Sequence, residues 1–428
     1  MNEERAGPTI EKGMKLAFVA QPFDGVLPPF QTSIGLWTYH VAECLSRSCD
    51  VTVYAPRNHL QRVAPQDGRV KYRFIPRIHY RILLALSRPF SSLFNTKRPY
   101  FSSISFCLGY SLKIAQALRA QGCDIVHVLN FSQIVPVIRR LNPGIKIVLH
   151  MQCEWLTQLD RAMIEGRLRE TNSVIGCSEY ITGKIRTRFP GLAERCHTVY
   201  NGVDTDHFSP RLDQTPANKK DGTRLLFVGR ISPEKGVHVL LDAFQNLVQR
   251  HPQTELEIVG PEWRAPLEFI VAGSDDPRVS ALRPFYAGNY LSRLTTSLPP
   301  ELSTRISFAG HVPHHQLPAY YRASDLLINP SLSEAFGISL VEAMATAIPV
   351  VATQVGGMQE VVEHGKTGLL VEAGDARALA EAISRLLSDG ERRRSMGEAG
   401  RARAVELFSW EQVVNELGRC YNKLCAGG

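Results

Sequence analysis

The stretch NPSLSEAFGISLVEAMATAIPVVAT, residues 329–353, decides the fold. It opens on the end of an apolar run, DLLINPS (325–331), that reads as a buried strand, and passes through a short Ser-rich loop. A helical pattern starts near Gly337 and gives way to a second apolar strand, PVVAT (349–353). Strand, helix and strand in such short order make a crossover unit of a parallel sheet. Glu334 falls just before the helix and Glu342 lies eight residues on, about 12 Å along a helix axis at ~1.5 Å per residue. The first amides of the helix, those of Phe336, Gly337 and Ile338, have no partner within it and face the same ligand as the carboxylates. A helix with a polar cap and one exposed glutamate explains either residue singly, but not the whole string.

The same alternation extends in both directions. RLLFVGR (224–230), LEIVG (256–260), ISFAG (306–310) and GLLVE (368–372) complete one series of strands. KLAFVA (15–20), VTVYA (51–55), DIVHVL (124–129), KIVLH (146–150), SVIGCS (173–178) and HTVYNG (197–202) form an earlier one. Residues 204–223, polar and rich in turn formers, read as the linker between them. The expectation is an α/β chain of two Rossmann-like domains, 14–205 and 206–407, with ligands at the carboxyl ends of the strands in a cleft between them. Residues 408–428 carry helical spacing and read as a closing helix that packs back on the first domain. Residues 261–300 exceed an ordinary strand-helix-strand connection and receive no role.

Composition narrows the class. Of 428 residues, 44% are hydrophobic and 21% charged, as in a soluble enzyme, and no run offers the ~18 apolar residues of a membrane span. The first dozen residues are polar, unlike a secretory leader, and read as a frayed tail. The nine cysteines are scattered without metal or redox spacing, which fits reduced thiols in a cytosol. The net charge of +8 is concentrated in Gly68 to Cys123, with ten Lys or Arg and no acid. There, residues 72–101 interleave cations with aromatic and aliphatic side chains, a pattern that suits an anionic membrane surface or a phosphate-bearing acceptor, and equally a solvated loop and helix. No nucleic-acid motif accompanies it, so no nucleic-acid partner is expected.

A second constellation, FVGRISPEKG (227–236), ends a strand at Gly229 and starts a helix near Gly236. Arg230 and Lys235 flank the turn, which taken alone is equally readable as a turn with surface cations near Glu234. Two cations beside a helix N-terminus stabilise negative charge that builds on a departing diphosphate more than they stabilise the ground state, with no metal or other cofactor required. With one carboxylate for sugar hydroxyls and another for ribose, the two strings together measure out a sugar nucleotide. Asp204-Thr205-Asp206 sits in the linker and reads as structural, and neither a Walker lysine nor a G-x-G-x-x-G turn is placed after a strand.

These strings, with NGVD (201–204) and GGMQEVVEHGKTGLLVE (356–372), resemble the retaining GT-B glycosyltransferases of family four over most of residues 14–420. The resemblance implies a nucleotide diphosphate sugar held by the second domain and an acceptor held by the first. It also implies retention of the anomeric configuration. Residue by residue, it assigns Arg230 and Lys235 to the diphosphate, Glu334 to the donor sugar and Glu342 to the ribose. His150 matches a histidine that contacts the donor sugar, and is also readable as a satisfied strand-end histidine; His127 reads as structural. Where the family carries paired glycines near its N-terminus, this chain has PPFQTSIGLWTYHVAECL (28–45), with Gly35 in the place of one of them, open to a phosphate. The expected donor is a UDP-sugar, with GDP-mannose as the other choice. The acceptor is a glycan, a lipid-linked glycan of an envelope polysaccharide or a small molecule, and the expected location is the cytoplasm or the inner membrane face. A sugar-nucleotide epimerase, a phosphorylase or a non-catalytic sugar-nucleotide scaffold are the rival readings.

Overall fold

The structure, a computed structural model, describes residues 10–29, 31–57, 68–76, 94–210 and 222–426. The chain divides into two compact units, Met1–Asn201 with Trp410–Gly428, and Gly202–Ser409.

The first unit is built on seven parallel strands: β1 (Lys15–Val19), β2 (Asp50–Pro56), β3 (Lys71–Ile75), β4 (Ile125–Leu129), β5 (Lys146–Met151), β6 (Ser173–Gly176) and β7 (Cys196–Thr198). Their order is β3-β2-β1-β4-β5-β6-β7. The central strands β1, β4 and β5 are almost wholly buried, which is why they read as continuous apolar runs rather than as alternation. The terminal helix Trp410–Ala426 is part of this unit, and its Trp410, Val413, Val414, Leu417 and Tyr421 share one core with Phe18, Trp37 and Val41.

The second unit holds six parallel strands: β8 (Thr223–Val228), β9 (Thr254–Val259), β10 (Ile306–Gly310), β11 (Leu326–Asn329), β12 (Val350–Thr353) and β13 (Gly368–Val371). Their order is β10-β9-β8-β11-β12-β13. The stretch at 329–353 is the crossover from β11 through helix Ile338–Ala345 to β12, with Leu327 opposite Val350. Residues 261–300 are short helices rather than an open loop, and Tyr290 and Leu294 from them, with Leu302 just beyond, enter the unit's core. In each sheet the strand order reverses once, between β1 and β4 and between β8 and β11. The carboxyl ends at such a reversal are where open parallel sheets bind ligands.

Residues 1–9 of the N-terminal tail, 211–221 of the linker and 77–93 of the basic segment, with Arg77, Arg81 and Arg88, lie outside the described residues. Among the described residues no helix is long and apolar enough to cross a membrane, and the nine cysteines are free thiols.

Two glycines in the helix Gly390–Phe408 show how the second unit closes. A Cβ at Gly397 would lie 2.2 Å from the Ala347 carbonyl oxygen, and one at Gly400 would lie 3.2 Å from the Met344 side chain. The helix therefore lies against Ile338–Ala345 through bare backbone. Gly397→Ala is expected to lower the denaturation midpoint by an overpacking cost of about 1–3 kcal/mol. Gly166→Ala, in helix Arg161–Arg169 with nothing within 4 Å of the new methyl, should raise it by roughly 0.5–1 kcal/mol. Urea unfolding of both variants checks the pair, and equal shifts would refute the packing account.

The core of the first unit is not purely apolar. His150 and His127 are buried, with His150 Nδ1 and His127 Nε2 3.1 Å apart and His127 Nδ1 2.7 Å from the Tyr421 hydroxyl. Burial takes the His150 pKa down to about 3, and burial together with the neighbouring His150 takes that of His127 well below its ordinary value. Below about pH 6.5 the unfolded chain binds protons that the folded chain refuses, so each ring adds a loss of up to about 1.4 kcal/mol per pH unit as the pH falls. Between about pH 8 and pH 5 the imidazole resonances of His127 and His150 should keep neutral-form shifts while the thermal midpoint declines. Titration of either ring near pH 6.5 would overturn this.

Candidate functional site

The sequence assignments meet at the reversal between β8 and β11. After β8 the chain runs through Gly229 and Arg230 into a single 3-10 turn, Pro233–Lys235, whose Pro fixes the backbone, and then through Gly236 into helix Val237–Val248. Gly236 has φ 68°, and a Cβ there would lie 2.1 Å from the carbonyl oxygen of Pro330, just after β11. Glycine is required twice over, by the dihedral and by the contact. The Leu332 amide donates to the Glu234 carbonyl at 2.8 Å, so the two strand exits are joined backbone to backbone.

Side chains repeat the junction. Lys235 Nζ donates to Glu334 Oε2 in a tight ion pair, with the two side chains only 18% and 16% exposed. Partial desolvation strengthens the attraction between the two charges while adding a desolvation penalty, so removing either partner alone is costlier than at an exposed pair. Arg230 Nη2 lies 3.1 Å from Glu234 Oε1. Glu234 is buried and also accepts from the Ser232 hydroxyl at 2.7 Å and from the Tyr286 hydroxyl at 3.1 Å. Burial, with the Glu234 charge beside it, pushes the Tyr286 phenol well up, so that it remains a donor.

Gly337 precedes helix Ile338–Ala345 with φ 103°, a conformation that glycine alone adopts readily. Phe336 turns its ring into the core, edge-on to Phe408 at 5.6 Å. The helix geometry leaves the first-turn amides of Gly337 and Ile338 without intrahelical acceptors. Glu342 is deeper than its expected ribose contact suggests. Its Oε1 lies 2.7 Å from His314 Nε2, and its Oε2 accepts from Tyr321 at 2.6 Å. His314 and Tyr321, from the segment between β10 and β11, were not legible as partners because they stand 28 and 21 residues before Glu342. Tyr321 is held protonated by burial and the Glu342 charge. In the linker, Asp204 accepts the backbone amides of Asp206 and His207, a local turn.

In the first unit Gly35 and His150 are both held by the chain's own groups. Gly35 stands in the first turn of helix Ser33–Leu45, with its amide donating to Thr32 Oγ1 at 3.0 Å, and a Cβ on it would lie 1.8 Å from the Gly25 carbonyl oxygen. The close approach it permits is to the chain's own backbone. His150 offers no surface, because Trp37 packs edge-on at 4.7 Å and both ring nitrogens have partners. The strand-end group nearer solvent is Gln152, whose amide lies 3.2 Å from His150 Nε2 and exchanges two hydrogen bonds with Asn201, at 2.9 and 2.7 Å. The period-two strand pattern carries the signal for it, since two residues on from a buried histidine the same face emerges from the sheet.

Comparison with known proteins agrees with this architecture. The family model described as Glycosyltransferase Family 4 matches residues 34–207, and that of Glycosyl transferases group 1 matches residues 209–403. The chain is 27% identical over 328 residues to spore coat protein SA of Bacillus subtilis (strain 168), covering 73% of this chain and 82% of that protein. Among solved structures, sucrose-phosphate synthase from Thermosynechococcus elongatus aligns with a TM-score of 0.71 at 22% identity, covering 97% of this chain and 100% of that one. Anabaena HepE, solved in complex with UDP-glucose, aligns with a TM-score of 0.67 at 20% identity, covering 96% and 100%. With two parallel-sheet units and family matches that together run over residues 34–207 and 209–403, the chain belongs to the group 1 glycosyltransferases of GT-B architecture, family four type, and is a sugar-transferring enzyme.

Proposed function

We propose that this glycosyltransferase takes its sugar from a nucleoside diphosphate sugar held by the second unit and transfers it, with retention, to an acceptor held by the first. The observation that carries the reading is the convergence of Arg230, Lys235 and Glu334 at one strand-order reversal. Arg230 and Lys235 hold the diphosphate, the amides of Phe336, Gly337 and Ile338 add the helix-start field, and Glu334 accepts sugar hydroxyls. Glu342 serves the ribose with His314, the more exposed member of its cluster.

In the reaction the bond from the anomeric carbon to the diphosphate oxygen breaks with its electron pair going to the diphosphate. The acceptor oxygen bonds to that carbon from the same face, and the acceptor proton passes to the diphosphate. The cations act on charge that grows along this path, so they lower the barrier more than they tighten ground-state binding. UDP is the favoured nucleotide, since a solved structure of the same fold was determined with UDP-glucose. The basic segment, with Lys71 and Arg73 on β3 and Lys113 and Arg119 on helix Leu108–Gln121, favours a phosphate-bearing, lipid-linked acceptor of envelope polysaccharide assembly, reached at an anionic membrane surface.

A thermal-shift series with UDP, GDP and ADP sugars, with and without magnesium, tests the donor assignment. A donor at one hundred times its dissociation constant adds about 2.7 kcal/mol of stability, and the shift should be confined to one nucleotide and independent of magnesium. No shift with any of them would sink the donor site. Glu334→Gln and Lys235→Ala should each cost about 10²–10³ in kcat with the fold retained. Retention is read from the anomeric proton coupling of the product. Conversion of the donor without any acceptor would instead indicate an epimerase.

A further inference from the structure

We infer that Trp263, at the head of the 261–300 insertion, is a positioning residue that holds Arg230 in register for the diphosphate. This inference rests on the assignment of Arg230 to the donor. The insertion begins by returning to the β8 turn: the Ile231 amide donates to the Pro261 carbonyl at 3.0 Å, and a Cβ at Gly260 would lie 1.9 Å from the Gly229 carbonyl oxygen. That contact brings the indole of Trp263 against the Arg230 guanidinium, whose Cζ is 4.9 Å from the ring centroid. Trp263 remains 50% exposed, and among the described residues it is the one aromatic side chain among the exposed large hydrophobic residues. An indole left half in water beside a cation is poorly explained by core packing and well explained by the cation.

The other side of Arg230 is also set by the insertion. Glu234, its ion-pair partner, is oriented by the Tyr286 hydroxyl, and Arg264 Nη1 ties the Tyr286 turn to the segment that carries Trp263 through the carbonyls of Phe285 and Tyr286, at 3.3 and 3.1 Å. The guanidinium is thus flanked by a carboxylate and an indole. Its Nη1 is buried without a protein partner among the described residues, although the side chain as a whole is 32% exposed. An arginine ordered in this way, with donor capacity to spare, loses little freedom on taking a phosphate.

The test is calorimetric titration of UDP, GDP and ADP into the full chain and into Trp263→Phe, Trp263→Leu, Arg230→Ala and the Trp263→Leu/Arg230→Ala double variant, with thermal midpoints to confirm folding. Trp263→Leu should weaken the nucleotide that binds best by roughly two- to fivefold, the range of an exposed cation–π contact, and Trp263→Phe should recover most of that loss. In the Arg230→Ala background the Leu substitution should add nothing, because its effect passes through Arg230. Equal losses with and without Arg230, or a Phe variant as weak as the Leu variant, would overturn the inference. If Arg230→Ala weakens binding and Trp263→Leu does not, the inference alone fails. If Arg230→Ala leaves binding intact, or none of the three nucleotides binds the parent chain, the donor-site assignment fails with it.

Discussion

The second unit depends on one backbone contact, the passage of the Gly236 Cα over the Pro330 carbonyl. Any side chain at 236 would separate the exits of β8 and β11, and Arg230, Glu234, Lys235 and Glu334 each lie on one exit or the other. With the exits joined, Lys235 from one reaches Glu334 from the other, and the Leu332 amide closes on Glu234. The parallel contact of Gly260 on Gly229 draws in the exit of β9 and with it the insertion. Close packing transmits such constraints because neither backbone can yield.

The first unit solves a different problem with polar groups. A helix encoded after the whole second unit has to be fixed to the first, and apolar burial of Trp410, Val413 and Leu417 supplies most of the attachment. Register comes from Tyr421, which meets His127 and, through it, His150, Gln152 and Asn201. A buried polar chain is stable only when every member is paired. The neutral rings permit that, because each can accept at one nitrogen and donate at the other. His150, which the sequence left readable as a donor-sugar contact or as a satisfied strand-end histidine, is a link in this chain.

What was legible follows from which interactions are local. The crossover from β11 through helix Ile338–Ala345 to β12 is written in consecutive residues, as is the β8 turn with its Arg and Lys, so the parallel strand-helix-strand unit and the local place of Glu334 and Lys235 could be read. The Lys235–Glu334 pair joins residues 99 apart, and no periodicity reports it. Gly35 was visible as a glycine at a helix start, but whether it faces a phosphate or Gly25 depends on a loop whose course no local pattern encodes. The insertion at 261–300 was opaque for the same reason. Its aromatics find their partners, His238 for Tyr290 and Glu234 for Tyr286, on two elements earlier in the chain.

Charge balance at the β8 and β11 exits bears on how the proposed donor would be held. Arg230 and Lys235 are each matched by a glutamate, so the two cations bring no net positive charge in the pairs as they stand. A diphosphate must therefore be met by groups whose charge is not already matched, and the first-turn amides of helix Ile338–Ala345 are of that kind. The cations contribute by exchange. Arg230 has donors beyond those Glu234 uses, while Lys235, in turning to phosphate, leaves Glu334 Oε2 in need of another donor besides the Ala335 amide that meets Oε1 at 3.1 Å. A sugar hydroxyl is such a donor, so phosphate and sugar recognition become one coupled step, and a nucleoside diphosphate without its sugar leaves Glu334 competing for Lys235. Under the proposed assignment that competition weighs against the spent nucleotide relative to the intact donor.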